Sequence, residues 1–190
     1  MTDAPLIEPV PPEHRAEVLA LVFGDLLAED REQRVQALLG DARSGRVPMD
    51  GLYAARRGGR LVGGLFAEVQ AGRTALVWPW RLVPGEPAAT GQQLMVAAWE
   101  LLSDKRIRVA YALLQAGEEA EDGQLLQAAG FAPLAELVYL VSGEEHFPGL
   151  PPATPVEFEP YHAANHDRLA RVVEATYEGT LDCPRKNGIR

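Results

Sequence analysis

Near the N-terminus, apolar residues return at helical spacing. Val18, Leu19, Leu21, Val22, Leu26 and Leu27 follow the start signal Pro11-Pro12 and predict a helix from about Pro12, with a short strand at Leu6 and Ile7 before it. A second helical pattern runs from about Arg31, with Val35, Leu38 and Leu39 inward, and fades at Ser44-Gly45. From Leu52 the period becomes extended. Leu52–Arg56 and Leu61–Val69 flank Gly58-Gly59, a hairpin signal because only glycine takes positive φ at both central positions without strain. Gly72 marks a second turn before a third run, Thr74–Val83, so three consecutive antiparallel strands are predicted.

Pro84-Gly85-Glu86-Pro87 breaks the third of these strands. Thr90-Gly91 then leads into Leu94, Met95, Ala97, Ala98, Leu101 and Leu102, a helix that stops near Asp104. The charge-free run Val109–Leu114 reads as a strand covered on both faces, parallel to its neighbour because a helix connects them. A helix at about Glu121–Ala129 ends at Gly130, and a last strand is expected over Pro133–Val141. Glycine and proline make 144–155 a stiff linker between a domain at 1–143 and a segment at 156–190. That segment begins again: Val156-Glu157-Phe158-Glu159-Pro160 and a helix with His166, Leu169, Val172 and Val173 parallel Leu6-Ile7-Glu8-Pro9 and the helix with His14, Val18, Leu21 and Val22. The offset is about 151 residues, as in a tandem repeat whose second copy stops after its first strand and helix.

The 190 residues are 47% hydrophobic and 24% charged, which excludes a disordered or fibrous chain. The 18 basic side chains stand against 27 acidic ones, and a net charge of -9 repels a nucleic-acid backbone. No apolar run approaches a bilayer span, and Met1–Pro12 lacks the pattern of a secretory signal. The single cysteine, Cys183, forbids an intrachain disulfide, and a cytoplasmic protein is expected, with no membrane or nucleic-acid partner.

The chemistry-bearing residues form no familiar catalytic motif. Trp78 and Trp80, two apart on a strand, are expected to share a face, as core residues or as substrate packing, and Pro79 between them suggests a bulge. Arg56, Arg57 and Arg60 flank a hairpin tip, where solvation or an anionic substrate accounts for them. His162 and His166 have the spacing of a two-histidine metal pair but no third ligand, so a helix start is the better reading and no metal is expected. Cys183 has no placed histidine partner. Glu68 and Glu136 are strand carboxylates able to serve as a base if burial raised their pKa; no catalytic residue is assigned.

The order of elements over residues 4–142 resembles the GNAT N-acetyltransferase superfamily. The carriers are Leu82-Val83-Pro84 closing the fourth strand, Gly91 and Leu94 opening the third helix, the charge-free strand from Val109, and Ala129-Gly130-Phe131 after the fourth helix. The two-copy arrangement is similar to tandem members of the mycothiol synthase kind. The resemblance implies an α/β (α+β) fold with a mixed central sheet flanked by helices. It also implies acetyl-coenzyme A as cosubstrate and transfer of its acetyl group to a small-molecule amine. Leu82 and Val83 would lie along the pantetheine arm, and Ala89, Thr90, Gly91 and Gln92 around the pyrophosphate at the helix N-terminus. The phosphate loop of the family departs here, with Glu86 for Arg or Gln, Pro87 removing a donor, and Ala89 for a glycine; Leu126 stands where many members have a tyrosine acid. A non-catalytic module, acting as scaffold or ligand-binding half, is the alternative, and either a homodimer or packing with a further domain is expected.

Overall fold

Five strands make one sheet in sequential order: β1 (Leu6–Pro9), β2 (Leu52–Arg57), β3 (Arg60–Gln70), β4 (Thr74–Leu82) and β5 (Val109–Tyr111). In this computed structural model, residues 4–114, 122–136, 141–146, 157 and 159–177 are described. The first four strands pair antiparallel because tight turns join the last three of them. Gly58 and Gly59 sit at φ +56° and +78°, and Gly72 with Arg73 at +79° and +59°. β5 is reached through α3 (Ala88–Asp104) and therefore joins β4 in parallel, which makes the sheet mixed as expected.

Helices cover both faces. α1 (Arg15–Val22), prefaced by a 3-10 turn at Pro12–His14, and α2 (Ala28–Arg43) bury Val18, Leu19, Val22, Val35 and Leu38 against Leu52, Ala54 and Phe66. On the other face α3 presses Leu94, Met95, Ala98 and Leu102 onto Tyr53, Ala55, Leu65, Ala67 and Val77, with Leu125 of α4 (Asp122–Ala128) beside them. Burial of some ten aliphatic side chains at roughly 1.5–3 kcal/mol each is what holds the layers together.

The β4–β5 ladder is short, pairing Thr74 with Val109, Ala75 with Ala110 and Leu76 with Tyr111. The break expected at Pro84 ends β4 itself, but β5 leaves its side already after Leu76, so β4 from Val77 to Leu82 is without a strand on that side among the described residues. A bulge accompanies the parting. Phe66 pairs with Trp78 and Gly64 with Arg81, so Pro79 and Trp80 together face the single residue Leu65. Pro79 has no N–H to give the ladder, which suits it to the extra position. The inserted residue shifts the alternation, and Trp78 and Trp80 consequently do not share a face: Trp78 packs with Phe23 on the α1–α2 side, and Trp80 lies in the α3 core.

Other boundaries moved for local reasons. Leu26 and Leu27 fall between α1 and α2, because α1 ends where the Phe23 N–H reaches the Leu19 carbonyl and the Gly24 N–H reaches that of Leu21. α3 begins at Ala88, not after Thr90-Gly91, since Pro87 at φ −62° already serves as its N-cap. β5 stops at Tyr111, short of the run to Leu114, having no further length of β4 beside it. Pro133–Glu136 and Val141 are not strand, unlike the expected Pro133–Val141, and 137–140 lie outside the described residues, as do 147–156, Phe158 and Cys183. Residues 1–132 and 133–190 are two compact units. In the second, a 3-10 turn at Ala163–Asn165 leads into α5 (His166–Tyr177), and Glu157, Glu159 and Pro160 before it are irregular, not the expected strand.

Candidate functional site

Past the bulge, β4 presents an open backbone edge. The Val83 N–H donates to the Val62 carbonyl at 3.0 Å, so antiparallel alternation turns the peptide groups of Leu82 the other way, toward the gap left by β5. Beside this edge a groove of about 280 Å³ runs between α3 and α4, lined by Trp80, Gln92, Met95, Trp99, Leu125 and Ala129. Its far wall is set by the end of α4. Gly130 at φ +95° lets the Phe131 N–H close on the Leu126 carbonyl, and Phe131 then stacks on Trp99, whose indole N–H donates to Ala129 O at 3.2 Å.

The head of the groove is the start of α3, where unpaired N–H groups and the helix dipole favour negative charge. A side chain of the protein already supplies it. Pro84-Gly85, with Gly85 at φ +85°, forms a turn closed by the Glu86 N–H on Val83 O, which directs Glu86 inward. The Glu86 side chain is 6% exposed, accepts a hydrogen bond from Arg57 Nη2 at 2.7 Å, and accepts another from Thr90 Oγ1 at 2.5 Å. These hydrogen bonds, Arg57 first, hold its carboxyl below its ordinary value of 4.5 against the opposing effect of burial. A folded-state pKa below the unfolded one gives stability that is complete above about pH 4.5 and is lost as pH falls through the folded value. The gap in melting temperature between the native chain and Glu86→Gln should therefore narrow between pH 7 and pH 3; a constant gap would show that the carboxylate is not the source of the difference.

Gly91 and Thr90 owe their identities to packing. A Cβ on Gly91 would lie 2.0 Å from Trp80 Nε1 and 2.3 Å from its Cδ1, so the glycine is the seat of the indole. Thr90 is buried and spends its hydroxyl on Glu86. Ala89 and Gln92 are exposed on the first turn, and Leu82 and Val83 half-buried at the end of β4. Of the six residues named from the resemblance, Gln92 lines the groove, while Leu82 and Val83 close β4 and Ala89, Thr90 and Gly91 stand in the first turn of α3.

Across the gap from β4, Arg81 grips two carboxylates. Its guanidinium is bidentate to Asp122 at 3.0 and 2.6 Å and also bonds Asp25, tying β4 to the start of α4 and to the α1–α2 connection. Burial opposes its charge but the two aspartates more than compensate, raising its pKa. Asp122 is 8% exposed. Arg81→Met should cost about 2 kcal/mol by leaving that carboxylate unpaired, and should speed amide hydrogen exchange in α4; unchanged exchange would mean that apolar contacts alone hold the helix. Sequence reading missed Arg81, Asp25 and Asp122, whose separation along the chain hides them.

The remaining candidates scatter. Arg56 pairs with Glu8 and Glu17 on the rim of the sheet, Arg60 is exposed, and Glu68 is half-buried beside Gln70. Glu136 is exposed. Leu126, at the position of the tyrosine, is buried in apolar contact. His162 caps the 3-10 turn reciprocally with Asn165 and also meets Glu159, and His166 meets the Tyr161 hydroxyl, the helix start preferred from the sequence. Trp78 stacks under the Arg34 guanidinium at 5.1 Å. Among the described residues no helix is long and apolar enough to cross a membrane, and no group of three His, Cys, Asp or Glu is placed to hold a metal ion.

No family model matches the sequence, and no curated protein matches it either. Solved structures do. The PaiA N-acetyltransferase of Thermoplasma acidophilum in complex with coenzyme A is 15% identical, with a TM-score of 0.53 over 72% of this chain and 94% of its own. An aminoglycoside 6′-N-acetyltransferase of Acinetobacter haemolyticus is 12% identical, with a TM-score of 0.57 over 73% of this chain and 98% of its own. AAC(6′)-Iy in complex with a bisubstrate analogue of coenzyme A and acetylneamine is 13% identical, with a TM-score of 0.54 over 74% and 99%. The fold of this chain is the GNAT acyl-CoA N-acyltransferase fold.

Proposed function

We propose that this chain is an acyltransferase of the GNAT type, transferring the acetyl group of acetyl-coenzyme A to a small-molecule amine. The observation that carries the reading is the open edge of β4 at Leu82 beside the apolar groove under α3 and α4, in a fold shared with chains solved with coenzyme A bound. An open strand edge suits the amide-bearing arm of the thioester, which pairs as an added strand. In the reaction the amine nitrogen attacks the thioester carbonyl and gives up a proton, the C–N bond forms, the C–S bond breaks, and the leaving thiolate takes up a proton to become the thiol. The contribution of this chain is to line up the arm along Leu82 and to exclude water with Trp80, Met95 and Trp99. Glu86 and Asp122 are each committed to an arginine, so neither is assigned as the base.

The residues fit the apolar arm of the donor better than its anionic end. The Glu86 carboxylate stands at the start of α3, and this favours a second reading, a ligand-binding or scaffold module that no longer transfers the acetyl group. Under both readings the segment from 156 is the beginning of a second copy of the fold. Calorimetric titration with acetyl-coenzyme A, followed by thiol release across a panel of amines, separates the two. Saturable binding with release supports transfer, binding without release supports the module, and absence of binding removes the acetyl donor from both.

A further inference from the structure

The 3-10 turn and α5 of the second unit repeat the 3-10 turn and α1 of the first in structure. A shift of 151 residues carries the 3-10 turn Pro12–His14 onto Ala163–Asn165 and the first residue of α1, Arg15, onto that of α5, His166. The same shift lays Glu8-Pro9 on Glu159-Pro160 and Val22 on Val173. What covers the two segments differs. Val18 and Val22 are 0% and 5% exposed, whereas Leu169 and Val173 in the corresponding places are 45% and 44% exposed. Val172 and Tyr161 extend the uncovered stripe, opposite Leu21 and the buried Val10. The cover over α1 has a definite shape, because Val18 and Val22 seat on Gly64 of β3, where a Cβ would come within 2.9 and 3.2 Å of them.

We propose that the apolar face of α5 docks on the glycine-bearing face of a β-sheet from a second domain of this fold, as α1 docks over Gly64. The sheet of the first unit has no vacant face, since α1 and α2 fill one and α3 the other. A second copy of this chain brings the same filled faces. The occupant therefore carries a sheet of its own, with a small residue where Leu169 and Val173 descend. The proposal is independent of acetyl transfer and stands or falls separately.

The test uses the full chain with residues 12–22 replaced by 163–173. A control carries the same segment with Leu169 exchanged for Arg168 and Val172 for Arg171, which keeps composition and turns the stripe away. The first chimera should unfold cooperatively, roughly 10–20 °C below the native chain because Ala170 stands in for the buried Leu19. Leucine at that place should recover part of the loss, and the control should melt at least about 10 °C lower still or lack a transition. Two chimeras equally unstable, or both unfolded, would overturn the proposal, because the stripe would then have no fit to such a sheet. Sedimentation of the unaltered chain gives a second reading. A dimer dispersed by Leu169→Asp would assign the face to a second copy and overturn it, and a monomer supports it.

Discussion

Glu86→Gln is expected to tighten binding of coenzyme A by tenfold or more while leaving binding of pantetheine unchanged. The start of α3 draws the anionic end of a ligand, yet the native chain keeps a carboxylate there, held by Arg57 and Thr90. A phosphate a few ångströms from that carboxylate meets a repulsion of about 3 kcal/mol at the effective dielectric of a protein surface. Glutamine keeps the shape and the hydrogen-bonding capacity, removes the charge and leaves the Arg57 guanidinium close by. Fold stability should fall by about 1–2 kcal/mol as the buried pair loses its ionic part. Charge is the sharper variable than backbone freedom here, because Ala89 is helical and needs no positive φ, so a glycine at 89 would only loosen the first turn. Equal tightening for pantetheine, or none for coenzyme A, would show that the phosphates do not approach Glu86.

Gly91→Ala should destabilise the first unit by about 3 kcal/mol or more, read as a fall in melting temperature near 10 °C. The added methyl meets a rigid indole at 2.0 Å, and Trp80, 4% exposed, can move only into the groove it lines, away from its packing in the α3 core. If the clash is the cause, Trp80→Leu combined with Gly91→Ala should be less unstable than the two single changes added together, a coupling that a double-mutant cycle measures. Additive losses would mean that Gly91 is glycine for some other reason. The same variant bears on ligand binding, since a shifted indole narrows the groove beside Gln92 and Met95.

These two positions show what the sequence carried and what it withheld. The alternation over residues 52–83, with glycines at the turns, was enough to order three strands, and the helix leading into the charge-free run from Val109 was enough to make the next one parallel. The Gly-Phe pair after α4 was legible for the reason the structure gives, a helix end needing positive φ and an aromatic to close it. Where the reading went astray, the deciding partner was remote. Whether Trp78 and Trp80 share a face depends on how many residues of β4 stand opposite Leu65, a property of the pairing and not of either strand. Glu86 reads as a mismatch to a phosphate loop until Arg57, in a different strand, is seen to hold it. Arg81, Asp25 and Asp122 are far apart in the chain, and nothing local marks any of them.

The bulge at Pro79 also has a genetic consequence. Loss of its single codon would leave Trp80 alone opposite Leu65 and Arg81 opposite Gly64, so the strand would straighten while Trp80, Arg81 and Leu82 keep their present faces. A three-base deletion there removes a kink without turning the strand over, whereas loss of the Trp80 codon would leave Pro79 opposite Leu65 and empty the seat of the indole on Gly91. Length changes in descendants of this gene should therefore be found at Pro79 as well as at the hairpin tips, and should spare Trp80.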